Sequence, residues 1–103
     1  MRVMLRINFP VELANAKMKD GSMPKLIQSI LDEQKPEAAY FTDSSGMRSG
    51  LFVVELKDAS EIPALCEPWM QAFQTSIELH PVMTPADLAK AGPAIESAVK
   101  KYG

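Results

Sequence analysis

In Arg2-Val3-Met4-Leu5-Arg6-Ile7-Asn8-Phe9 every second residue from Val3 is apolar, and the residues between them are polar except Met4. Successive side chains on a strand point to opposite faces, so this stretch is predicted to be a half-buried strand. Val3, Leu5, Ile7 and Phe9 should meet helices, and Arg2, Met4, Arg6 and Asn8 should line the other face. Outward from it, residues 11–34 read as helical, 38–43 and 50–56 as strands, and 59–73 as a second helical region. Residues 76–83 complete the pattern as a strand with Ile77 and Leu79 on one face and Ser76, Glu78, His80 and Val82 on the other. The order βαββαβ is the split-βαβ, ferredoxin-like plan. The chain is thus expected to be one α+β domain over residues 1–103, with a four-stranded antiparallel sheet and an added C-terminal helix.

Turn and cap residues sharpen the boundaries. Asp58 with Glu61 three residues later spells a capping box, and Ile62, Leu65, Cys66, Trp69, Met70 and Phe73 follow at helical spacing. Pro68 lies inside that helix and is expected to kink it. Gly21-Ser22-Met23-Pro24 divides the first helical region, with Ser22 as the expected cap of its second piece. Thr84-Pro85-Ala86-Asp87 opens the last helix, and Gly92-Pro93 interrupts it. Ser44-Ser45-Gly46-Met47-Arg48-Ser49-Gly50 reads as a flexible hairpin loop able to act as a lid; it opens no helix and so lacks a phosphate-cradle setting. Pro81 cannot donate to a ladder and places its strand at the sheet edge.

Leu51-Phe52-Val53-Val54 is apolar on both faces, which implies cover on both. Helices in this plan cover one face only. A second copy of the chain is the simplest cover for the other, which makes a homodimer the expected state.

Composition excludes several classes. Eleven basic against 13 acidic side chains leave no positive excess for phosphates, so no nucleic-acid partner is expected. Cys66 is the sole cysteine, which rules out an intrachain disulfide and a multi-cysteine zinc site. No apolar run approaches the ~20 residues that span a bilayer. Arg6 and Asn8 interrupt any signal-peptide core near the start, and together these features point to a reduced, cytoplasmic protein.

The face opposite the helices collects Arg6, Asn8, Tyr40, Thr42, Glu55, Glu78 and His80. One reading is a ligand pocket inside a dimer, with Arg6 binding an anion or carbonyl oxygen and His80, the only histidine, available for proton transfer. The other is an ion-pair network with Arg6 held between Glu55 and Glu78. Glu78 and His80 alone supply too few ligands for zinc, and no metal is expected. Cys66 on an apolar helix stripe behaves as a small hydrophobe, and Met18, Met23 and Met70 read as gap fillers.

Three stretches carry a resemblance: Lys35-Pro36-Glu37-Ala38-Ala39-Tyr40-Phe41, Glu67-Pro68-Trp69-Met70-Gln71-Ala72-Phe73, and His80-Pro81-Val82-Met83-Thr84-Pro85-Ala86-Asp87-Leu88. With them, nearly the whole chain resembles small bacterial proteins of uncharacterised function in the dimeric α/β-barrel superfamily. The resemblance implies two ferredoxin-like sheets packed face to face around a central barrel. Members of that superfamily include cofactor-independent monooxygenases acting on polycyclic phenols, muconolactone isomerases and haem-dependent enzymes. None of their catalytic motifs occurs here, and a strand histidine does not suit an axial haem ligand, so no cofactor is expected.

Three functions follow as expectations. The first is a homodimeric barrel that binds a small apolar or weakly anionic metabolite through Arg6, Asn8, Tyr40, Glu55, Glu78 and His80. The second is a cofactor-independent monooxygenase or isomerase acting on an aromatic or enolisable substrate with His80 as the catalytic base. The third is a structural dimer whose barrel is filled by side chains.

Overall fold

A computed structural model describes residues 1–103. The sheet is formed by β1 (Arg2–Asn8), β2 (Ala38–Ser44), β3 (Met47–Glu55) and β4 (Ser76–Pro81). Its order is β2-β3-β1-β4, and every neighbouring pair is antiparallel. This is the ferredoxin-like arrangement expected from the pattern, with the proline-bearing β4 at an edge.

The helices are α1 (Val11–Lys19), α2 (Ser22–Gln34), α3 (Ile62–Phe73), α4 (Pro85–Lys90) and α5 (Gly92–Tyr102). The first helical region breaks at Asp20-Gly21, with Gly21 at φ 80°, where an L side chain would be strained. Ser22 does not cap α2: it is the first helical residue, and its backbone N–H donates to Asp20 Oδ1 at 2.8 Å. The carboxylate two residues upstream does the work assigned to the serine. Residues 59–61 form a single 3-10 turn ahead of α3, and the helix runs on through Pro68.

Val3, Leu5 and Ile7 of β1 are fully buried, and Phe9, Phe52, Val54, Trp69 and Phe73 join them in one core. The indole of Trp69 lies flat on Phe52, ring centroids 4.8 Å apart and planes at 9°. Phe9 meets Phe73 edge-on at 5.1 Å, and Trp69 Nε1 donates to Gln34 Oε1 at 3.2 Å. Gln34 in turn donates to the Leu65 carbonyl at 2.9 Å, so one side chain ties α2 to α3 at the end of the aromatic stack.

The 44–50 segment is neither a long loop nor a lid. Ser45 and Gly46 alone turn the chain, with φ of 51° and 76°, the two left-handed central residues of a type I′ hairpin. Met47, Arg48, Ser49 and Gly50 belong to β3, where pairing with β2 on one side and β1 on the other outweighs their weak strand propensity. A Cβ on Gly50 would stand 2.6 Å from Phe52 Cζ and 3.3 Å from Ile7 Cγ1. The Phe52 ring is held between Trp69 and Phe41 and cannot retreat. Gly50→Ala is therefore expected to destabilise the fold by about 1–3 kcal/mol in a urea titration, and an unchanged midpoint would show that the ring shifts freely.

The capping box expected at Asp58 is present, and Thr84 with Asp87 forms a second. Asp58 accepts from the Ser60 N–H at 2.9 Å, and Glu61 accepts from the Asp58 N–H at 2.9 Å. At α4, Thr84 and Asp87 exchange bonds of 3.0 and 3.1 Å. The bonds from Ser60 hold the Asp58 carboxyl, and those from Thr84 the Asp87 carboxyl, below the ordinary value of 3.8. A carboxyl whose pKa is lowered by folding stabilises fully above its unfolded value and loses that contribution as pH falls through the folded one. Helical circular dichroism should thus decline below about pH 4, and Asp87→Asn should flatten that decline; an equally steep decline in the variant would show that the cap at Thr84 does not contribute.

Candidate functional site

Strand register builds the sheet face that the helices leave open. Arg6 stands opposite Leu51 on β3 and Glu78 on β4, with Tyr40 beyond Leu51 on β2. The next row toward the hairpin holds Asn8, Ser49, Thr42 and Ser76; the row on the other side holds Met4, Val53, Ala38 and His80. All seven polar residues singled out in the sequence share this face. Leu51, Val53 and Met4 lie among them, half-buried within the single chain.

Register corrects one expectation. Glu55 is paired with Arg2, not Arg6, and lies four positions along β3 from Leu51, about 13 Å at strand spacing. Its carboxylate accepts from the Met1 amino group at 2.5 Å, the main reason its pKa is lowered, and Arg2 pairs with Glu37. Arg6 therefore does not sit between two carboxylates. It forms no ion pair even with Glu78 across the ladder, and its side chain makes no hydrogen bond to the protein. Alternation could place these groups on a face, but the pairing offset along the strands had no signal in the sequence.

Three other side chains on this face, Asn8, His80 and Tyr40, lack partners. Asn8 Oδ1 is buried and accepts no hydrogen bond. Such an atom is costly unless something donates to it. His80 is exposed and makes no side-chain hydrogen bond, and Tyr40 is 66% exposed. The open face thus offers a cationic donor at Arg6, an unpaired acceptor at Asn8 and apolar ground between. Cys66 is buried, and burial, reinforced by Glu67, pushes its thiol pKa up, away from reactivity. No three His, Cys, Asp or Glu side chains cluster to hold a metal ion.

A second concavity lies on the helix side at the β2 edge and has a volume of about 550 Å³. Phe9, Met18, Met23, Ile27, Leu31 and Phe41 make it apolar, with Gln28, Thr42, Arg48 and Ser49 at its margin. It is lined by residues from both sides of the break at Asp20-Gly21, Met18 and Met23, and it borders β2, five of whose seven residues remain exposed. None of the expected ligand-binding residues lines it. The available signals were Phe41 beside Tyr40, two aromatics pointing to opposite faces, and Met18 at the end of the broken helix.

Fold and strand order make the chain an α+β protein of ferredoxin-like topology. It belongs to the family described as a domain of unknown function (DUF3303), whose model matches residues 22–96. That span includes Tyr40, Glu55, Glu78 and His80 and leaves β1, with Arg6 and Asn8, outside. No curated protein matches the chain. Among solved structures it is similar to a formyltetrahydrofolate deformylase from Pseudomonas putida KT2440, with 18% identity and a TM-score of 0.45. The alignment covers 80% of this chain and 29% of that one, so this chain corresponds to less than a third of the deformylase's length. No helix is long and apolar enough to cross a membrane.

Proposed function

We propose that the chain acts as a homodimeric α/β barrel that binds a small apolar or weakly anionic metabolite between two facing sheets. The observation that carries this reading is the pairing of Arg6, a cation with no acidic partner, with Asn8 Oδ1, a buried acceptor with no donor. They sit two residues apart on one face, beside Leu51, Val53 and Met4. A purely structural network would pair its charges; here they are left available. A ligand bearing a phenolate or carboxylate oxygen next to a hydroxyl or N–H would satisfy both groups, and its carbon skeleton would cover the apolar residues. Tyr40, Glu78 and His80 complete the polar lining of the same face, and Glu55 lies at its rim.

The test is a thermal-shift screen of aromatic and quinone-like acids and phenols. We expect at least one compound to raise the melting temperature, and Arg6→Met to remove that shift while leaving the dimer intact. A stabilising compound indifferent to Arg6, or an Arg6→Met chain that loses stability and gains no selectivity, would favour a side-chain-filled structural dimer.

A second reading is supported by the free imidazole of His80, on the same face as Arg6. In a cofactor-independent monooxygenase or isomerase, His80 would take the proton of an aromatic or enolisable substrate while Arg6 and Asn8 hold its oxygen. His80→Ala should then abolish turnover, since the chain has no other histidine; turnover retained in that variant would remove His80 as the base.

A further inference from the structure

Residues 84–103 form an arm that the rest of the chain does not use. α4 and α5 contain no buried residue, and the only substantial packing of α5 is against α4. The molecule measures 59 × 28 × 21 Å with a radius of gyration of 17.2 Å, against about 13 Å for a compact chain of this size. Its accessible surface is 6935 Å², where an 11.3 kDa monomer is expected to expose about 5,700 Å². The excess, about 1,200 Å², exceeds the roughly 800 Å² that one partner buries in a standard specific interface. A second copy is therefore enough to account for it.

The arm has a face made for packing. Ile95, Val99 and Tyr102 recur at i, i+4 and i+7 on α5, and Leu88 precedes them on α4; their exposures are 51, 61, 79 and 51%. Glu96, Lys100 and Lys101 occupy other positions on α5. An isolated helix of 11 residues is marginal in water, so α5 needs a surface to persist. Anchors at that spacing suit a helix laid in an apolar groove.

The chain also supplies such a groove, at the opposite edge of its sheet. In the order β2-β3-β1-β4 the arm leaves from the β4 edge, whereas the 550 Å³ concavity opens beside β2. When two such sheets stack face to face about a two-fold axis along the strands, the β4 edge of each copy lies over the β2 edge of the other. We infer that α5 of each copy seats Ile95, Val99 and Tyr102 in the α2–β2 groove of the second copy, against Ile27, Leu31 and Phe41, so that the dimer exchanges its C-terminal arms. This rests on the sheet-to-sheet dimer proposed above.

The test uses full-length chains. Ile95→Asp with Val99→Asp should weaken dimerisation by about 100-fold or more, with the helical circular dichroism falling by no more than the share of α5, because these side chains are exposed within one chain and the sheet core does not depend on them. In a Cys66→Ser background, a chain carrying Val99→Cys mixed with a differently sized chain carrying Phe41→Cys should oxidise to the mixed disulfide dimer. A dimer insensitive to the arm variant but broken by Val53→Asp would overturn the exchange and leave the sheet interface standing. A monomeric wild type would instead overturn the sheet reading. Crosslinks only between Val99→Cys chains would mean that the arms pair with each other, and that result would overturn the inference.

Discussion

Trp69→Ala is expected to destabilise the protein by about 3–5 kcal/mol, a large share of the ~5–15 kcal/mol typical of a domain. The indole has no solvent exposure, lies flat on Phe52, and touches Phe9 and Phe73 at centroid distances of 6.4 and 6.2 Å. Its removal opens a cavity bounded on several sides by rings that are themselves packed. It also deprives Gln34 Oε1 of its donor and so loosens the tie between α2 and α3. Urea denaturation followed by circular dichroism measures the loss. A loss below about 1 kcal/mol would mean that the aromatic stack collapses around the vacancy and does not depend on the indole.

Val53→Asp is expected to abolish dimerisation at micromolar concentration without unfolding the chain. Val53 pairs with Met4 on β1 and Ala38 on β2 on the open face, and within one chain it is only half-buried. A carboxylate there can reach water in the monomer. Between two facing sheets it would be buried beside Met4 and Ala38 and away from water, at a cost of several kcal/mol. Analytical ultracentrifugation of the variant reads the mass directly. A variant that remains fully dimeric would place the interface elsewhere.

The fold was legible because its signals are periodic. Val3, Leu5 and Ile7 recur at every second position, and Leu65, Cys66, Trp69 and Phe73 recur at helical spacing, so face and element type could be read directly. The start of β3 was not legible. Met47-Arg48-Ser49-Gly50 is poor in strand formers, and it is strand because it lies between β1 and β2, with Ser49 Oγ donating to the Ile7 carbonyl at 2.9 Å. Register was hidden for a different reason: side-chain alternation fixes a face but not an offset, so Glu55 was expected beside Arg6 and stands beside Arg2.

The groove joins Phe9 of the segment after β1, Met18 of α1, Met23, Ile27 and Leu31 of α2 and Phe41 of β2, an assembly that no local pattern in the sequence specifies. The stripe of Leu88, Ile95, Val99 and Tyr102 was not singled out in the sequence, where only the opening of the last helix and its interruption at Gly92-Pro93 were read. That nothing in the same chain covers it becomes evident only from the shape of the molecule.

Sedimentation equilibrium of the wild-type chain at micromolar concentration tests the proposed barrel most directly. The expected result is a single species of twice the 11.3 kDa chain mass. A monomer across the concentration range would leave the Arg6 face open to solvent and contradict a binding site enclosed between two sheets.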